Sequence, residues 1–184
     1  MERKNISKQE QMVKCFLHLP EKLLLFHGME NISEFVLHTL CSRNCLNLSK
    51  AAYFIDNHDF DCLKGIAGFD KNELYHNDGI NNDIEDHNYI WQNTDHFSDH
   101  MKKCLFNQKV RNVMKPSASK ASDEDIINDL ARELAMNKPI FYSWKVKYDN
   151  KAIFIFETAE DDMDIDIDSD LLKGICLLGF CPIF

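Results

Sequence analysis

Apolar residues recur at intervals of three and four positions in several stretches of this chain, which is the spacing of amphipathic helices. Pro20 is expected to interrupt the first of these helices, and Ser33 to act as the N-cap of the second. The last helix has the clearest start, because Ser122 and Asp125 approximate a capping box. The predicted helices cover residues 7–26, about ten residues from Ser33, residues 94–113, and the stretch from Ser122 to Asn137.

Runs of β-branched and aromatic residues between turn-forming residues predict the strands. The run AAYFI at 51–55 ends at an Asp-Asn-His-Asp turn, and the apolar run at 60–69 is expected to form a second strand or a short helix. Aromatic or β-branched residues alternate with polar ones at 142–148, and Asp149-Asn150 suits a two-residue turn into the returning strand. The pattern predicts an α+β fold: N-terminal helices, a central short β element, a long polar loop, then helices and a C-terminal antiparallel β-hairpin or sheet.

Polar segments separate these elements. Residues 70–94 are rich in Asn and Asp and are expected to form a long surface loop, either a mobile one or an insertion that closes over another part of the protein. Residues 115–121 are expected to form a linker. The acidic run 161–170 alternates Asp with apolar residues, which predicts an edge strand, although its aspartates could also hold a divalent ion loosely. At this length, residues 1–184 are expected to form a single domain.

The composition indicates the compartment of the protein and excludes some classes of partner. Acidic residues outnumber basic ones by 30 to 21, and the net charge of −9 disfavours binding to nucleic-acid phosphates. No apolar tract approaches the roughly 20 residues that span a bilayer, and the N-terminal region lacks the apolar core of a signal peptide. Seven cysteines, an odd number, favour reduced thiols. We therefore expect a cytoplasmic protein that binds neither nucleic acid nor a membrane.

The first candidate for chemistry is a row of potential metal ligands on the helix predicted at 94–113. His96, His100 and Cys104 recur at every fourth position, so they lie along one side of that helix, and two histidines one turn apart are a zinc-ligand spacing. His87, in the preceding polar loop, would supply a further ligand. The alternative is a solvated boundary face, because the neighbouring row on the same helix is apolar.

The second candidate is the spacing Cys41, Cys45, His58 and Cys62. Zinc ligands often come as local pairs, and both Cys41/Cys45 and His58/Cys62 have a gap of three residues. The alternative is that these thiols belong to the core, because Cys41 continues the apolar stripe of the preceding helix. The core interpretation is favoured over the zinc interpretation.

The chain contains no nucleophile elbow, no phosphate-binding loop and no dinucleotide-binding motif. Two functional hypotheses follow. The first is a non-catalytic binding or adaptor protein, without a cofactor, that recognises a protein or a small-molecule ligand. The second is a metal-dependent hydrolase or sensor that uses His96 and His100 to bind zinc or another divalent ion. The first is favoured, and the ligand and the oligomeric state are left open.

Overall fold

A computed structural model describes five segments of the chain, residues 8–26, 29–76, 94–117, 123–159 and 175–180. These segments contain six α-helices and five β-strands, which confirms the α+β class. In chain order the elements are α1 (Lys8–Leu25), α2 (Ile32–Cys41), β1 (Leu48–Asn57), β2 (Cys62–Asp70), α3 (Lys71–His76), α4 (Thr94–Lys103), α5 (Leu105–Arg111), β3 (Met114–Lys115), α6 (Asp123–Glu133), β4 (Ile140–Lys145) and β5 (Lys151–Thr158), with 3₁₀ turns at Lys147–Asp149 and Cys176–Phe180.

The five strands form one antiparallel sheet in the order β3-β2-β1-β5-β4. β1 lies in the middle of this sheet, and its residues 51–56 are buried without interruption. Because neighbouring strands flank β1 and side chains cover both of its faces, the AAYFI run is continuously apolar rather than alternating. The predicted central strand and the predicted C-terminal hairpin of β4 and β5 are both confirmed.

Helix α5 sits directly on β2, and two glycines make this close approach possible. A Cβ atom at Gly65 would lie 1.8 Å from the carbonyl oxygen of Val110, and one at Gly68 would lie 2.6 Å from a Val110 methyl group. Both glycines face α5 because the register between β1 and β2 shifts between them, so that Ile66 has no partner on β1. The glycines and this bulge set the position of α5 on the sheet.

The first two helices depart from the sequence prediction. Pro20 does not interrupt α1, which continues through it. Leu19 is fully buried beside the proline, so packing holds the helix together across the missing backbone hydrogen bond. Ser33 is not the N-cap of α2: the helix begins at Ile32, after an N-cap Asn31 that makes no side-chain capping bond.

The helix predicted over 94–113 is two helices, separated at Cys104. Cys104 has an extended conformation, with φ −62° and ψ 118°. The Glu73 carboxylate accepts hydrogen bonds from the backbone N–H groups of Leu105 and Phe106, which open α5. The interruption therefore depends on a carboxylate from another element. The residue pattern at 94–113 does not predict it.

The connection between β4 and β5 is longer than the predicted two-residue turn. Lys145 pairs with Lys151, which leaves five residues between the strands. Tyr148 and Asp149 have positive φ angles of 60° and 54° and reverse the chain within the 3₁₀ turn. A left-handed conformation is uncommon for a bulky residue such as Tyr148, so the sequence does not predict it there.

The predicted polar segments are described only in part. The 70–94 loop begins as helix α3, and its residues 77–93 lie outside the described segments. The 115–121 linker begins with β3, which pairs with β2, and residues 118–122 lie outside the description. The acidic run 161–170, predicted as an edge strand, also lies outside it.

Candidate ligand-binding site

A cleft of about 210 Å³ lies where the first turn of α2, the bulged part of β2 and the last residue of α5 meet. Its rim carries charged side chains of both signs, which are exposed, whereas its base is buried. The lining residues are Glu30, Ser33, Glu34, Lys64, Gly65, Ile66 and Arg111. The cleft therefore combines a bulge, a glycine backbone and four charged groups, a polar arrangement suited to a small charged ligand.

Glu34 is the central group of this cleft, with only 1% of its surface exposed. Its carboxylate oxygen Oε1 accepts hydrogen bonds from Arg111 Nη1 at 3.2 Å and from Asn107 Nδ2 at 3.4 Å. Glu34 also lies in the first turn of α2, where the helix dipole favours a negative charge. The carboxylate is thus held from two elements, α2 and α5.

Asn107 fixes the carboxylate from behind and is itself 2% exposed. Its Nδ2 donates to the carbonyl oxygen of Met101 at 3.0 Å as well as to Glu34. Its Oδ1 accepts the backbone N–H of Gly68 at 2.9 Å. One buried amide therefore ties α5 to α4, to β2 and to the carboxylate at the base of the cleft.

Burial is the dominant electrostatic influence on Glu34. It raises the pKa of the Glu34 carboxyl, while the backbone N–H of Glu34, the Arg111 guanidinium and the Asn107 amide each offset part of that rise. The net direction is upward, so the groups around Glu34 compensate its negative charge incompletely. A further cation placed in the cleft would stabilise the charged carboxylate.

The structure separates the predicted zinc ligands Cys41, Cys45, His58 and Cys62. Cys41 and Cys45 are buried before the start of β1, whereas His58 and Cys62 lie in and after the turn that follows its end. A ten-residue strand spans roughly 30 Å. The four side chains therefore do not come together, and the core interpretation of Cys41 and Cys45 agrees with their burial. His58 Nδ1 instead lies 2.8 Å from Ser117 Oγ.

The thiol of Cys45 has a different neighbour, Cys15 of α1, which sequence reasoning did not single out. The two side chains are close enough for each to affect the pKa of the other. The Cys45 side chain lowers the pKa of the half-buried Cys15 thiol, burial counteracts this, and the Lys22 charge lowers it further. Desolvation raises the pKa of Cys45. Cys15 is thus the thiol with the greater thiolate character of the pair.

The predicted histidine row is described only in part. His87 and the side chain of His96 lie outside the description, and His100 is half-buried on α4. Cys104 is buried, its Sγ lies 3.3 Å from a Glu73 carboxylate oxygen, and desolvation raises its pKa to about 12. Within the described segments, no three His, Cys, Asp or Glu side chains form a group able to hold a metal ion. The metal site using His96 and His100 stays a prediction.

Comparisons with known proteins do not indicate a family or a function. No protein-family model matches the chain, and neither the curated proteins nor the solved structures contain a significant match. Among the described helices, none has the length and apolar character needed to cross a bilayer. The fold and the cleft therefore support an α+β protein with a small charged site, and any function follows from the chemistry of that site.

Proposed function

We propose that this protein is a non-catalytic binding protein whose cleft holds a small zwitterion, such as a free amino acid. The observation that carries the proposal is the Glu34 carboxylate, buried at the base of a cleft that carries two cationic side chains on its rim. An ammonium group placed over Glu34 would compensate the negative charge of this buried carboxylate. A carboxylate on the same ligand would face Arg111 and Lys64.

The size of the cleft supports a ligand of this class. Its volume of about 210 Å³ is below the roughly 300–1,000 Å³ of pockets that hold drug-sized molecules. A nucleotide would exceed that space, whereas a molecule with the dimensions of an amino acid matches it. The exposed Glu30 and Lys64 on the rim add one charge of each sign, which suits a ligand that is neutral overall.

Binding fits the geometry better than catalysis. Glu34 accepts hydrogen bonds from Arg111 and Asn107, so it is fixed as a charged acceptor rather than presented as a base. Ser33 contributes the hydroxyl among the lining residues, and the described part of the lining contains no histidine to activate it. These features support the first hypothesis, recognition of a small-molecule ligand.

The proposal is tested with a panel of the twenty L-amino acids, screened by thermal shift and then titrated by calorimetry. The N-acetyl derivative and the methyl ester of the best ligand remove its positive and its negative charge in turn. Each derivative is expected to bind roughly 10- to 100-fold more weakly, because a hydrogen bond to a charged group contributes about 1.5–3 kcal/mol.

Glu34→Gln removes the buried charge while keeping the shape and the acceptor oxygen of the side chain. It is expected to lower the affinity by a similar factor, whereas Glu124→Gln, an exposed carboxylate on α6, leaves it unchanged. If no amino acid binds, or if Glu34→Gln binds as tightly as the unchanged protein, the proposal is wrong.

We place this binding function in the cytoplasm. The chain has seven cysteines, an odd number, and the six in the described segments are free thiols. Cys15 and Cys45 are both among these free thiols. This arrangement fits a reducing compartment.

A further inference from the structure

Helix α1 has two apolar faces, and within the described segments only one of them packs against other elements. Leu19 is fully buried on the inner face. Of the nine large apolar side chains that are exposed in the described segments, four lie on α1. They are Val13 (49% exposed), Leu17 (71%), Leu24 (78%) and Leu25 (74%).

The outer face has a regular spacing. Val13, Leu17, Pro20 and Leu24 follow one another at intervals of four, three and four residues, which places them on one side of the helix. We call these four residues the outer stripe. Its intervals read the same in both directions. A second α1 laid antiparallel would therefore place Val13 against Leu24 of the other copy, and Leu17 against its Pro20.

The charges beside the outer stripe complement this antiparallel arrangement. Lys14 follows Val13 and Glu21 follows Pro20, so both lie along the same border of the stripe. Antiparallel pairing brings Lys14 of one copy beside Glu21 of the other, and the two-fold symmetry repeats this pair. In a parallel pairing this border of one copy would lie on the opposite side of the interface from the same border of the other copy, so Lys14 and Glu21 would not meet.

We propose that the outer stripe of α1 is a dimer interface, occupied by α1 of a second copy in antiparallel orientation about a two-fold axis. The apolar side chains on the outer side of both copies together expose on the order of 1,000 Å², which is about the least area that a specific interface buries. The contact is therefore small and reversible. It is independent of the cleft and of the ligand proposed for it.

The oligomeric state is measured on the full chain by sedimentation equilibrium over a range of protein concentrations. A concentration-dependent dimer is expected. Leu17→Glu places a charge in the centre of the interface and is expected to give a monomer at every concentration measured. The matched control is Leu105→Glu on α5, because Leu105 is also 71% exposed but does not lie on α1. Circular dichroism confirms that both variants are folded.

Charge reversal tests the orientation. Lys14→Glu and Glu21→Lys are each expected to weaken self-association at least threefold, because each places like charges opposite each other in its own dimer. An equimolar mixture of the two variants restores association, since a mixed antiparallel dimer pairs opposite charges at both positions. A monomeric unchanged protein, equal dissociation by Leu105→Glu, or a mixture no stronger than the separate variants overturns the proposal.

Discussion

Asn107→Ala is expected to be among the most destabilising substitutions in this protein, although the side chain it removes is polar. The Asn107 amide makes three hydrogen bonds, to Gly68, Met101 and Glu34, at 2.9, 3.0 and 3.4 Å. The residue is 2% exposed, so water does not replace these bonds without opening the core. The substitution therefore leaves two backbone groups without their partner and weakens the hold on a buried carboxylate.

The magnitude follows from those three bonds. A buried donor or acceptor that loses its partner costs about 1–3 kcal/mol, and the two short bonds to backbone groups dominate the sum. The longest bond, to Glu34, contributes less because Arg111 continues to donate to the same oxygen. We expect Asn107→Ala to lower the free energy of unfolding by about 3–4 kcal/mol, a large part of the 5–15 kcal/mol typical of a folded protein.

The assay is urea denaturation followed by circular dichroism, with unfolding free energies taken from linear extrapolation. Gln108→Ala is the matched control: it removes the neighbouring amide, which is exposed and donates one hydrogen bond to the carbonyl oxygen of Lys102. The control is expected to cost less than about 1 kcal/mol. If Asn107→Ala costs no more than Gln108→Ala, the buried amide does not hold α5 on the sheet and the reasoning is refuted.

Three further predictions concern ionisable groups. Because burial raises the pKa of Glu34, its ionisation progressively destabilises the folded state as the pH rises from about 4. The free energy of unfolding of Glu34→Gln, relative to that of the unchanged protein, should therefore increase between acid and neutral pH. A difference in unfolding free energy that is the same at both pH values would contradict this. Cys15, whose pKa is lowered, should react with iodoacetamide at a lower pH than Cys176, whose pKa burial raises, as peptide mass spectrometry will show; coincident pH profiles would contradict it. If the predicted metal site exists, elemental analysis will find stoichiometric metal that is lost on combined His96→Ala and His100→Ala; a metal-free, folded protein leaves that hypothesis without support.

The elements that the sequence predicts well are those whose pattern is local. The run AAYFI is continuously apolar because β1 is covered on both faces, and this property is visible in the residues themselves. Helices α2 and α6 likewise carry apolar stripes at helical spacing. The break at Cys104 was missed because its cause, the Glu73 carboxylate, is more than 30 residues away in the chain.

The candidate site could not be predicted in the same way. Glu34 and Arg111 are separated by 77 residues, and neither belongs to a motif with a fixed spacing. Glu34 lies in the first turn of α2, where an acidic residue is common, so the sequence does not indicate that it is buried. The contact between Cys15 and Cys45 was missed for the same reason, because tertiary packing brings the middle of α1 to the turn that follows α2.

The attachment of helix α5 has one more consequence, which concerns how ligand binding in the cleft could affect a neighbouring element. It has seven residues, roughly 10 Å in length, and is too short to persist alone. A carboxylate holds each end: Glu73 accepts the N–H groups of its first turn, and Glu34 accepts Arg111, its last residue. A ligand that draws Arg111 away from Glu34 releases one of these two attachments. Occupancy of the cleft would then loosen only the C-terminal end of α5, because Asn107 and the close packing of Val110 on Gly65 and Gly68 keep the helix on β2.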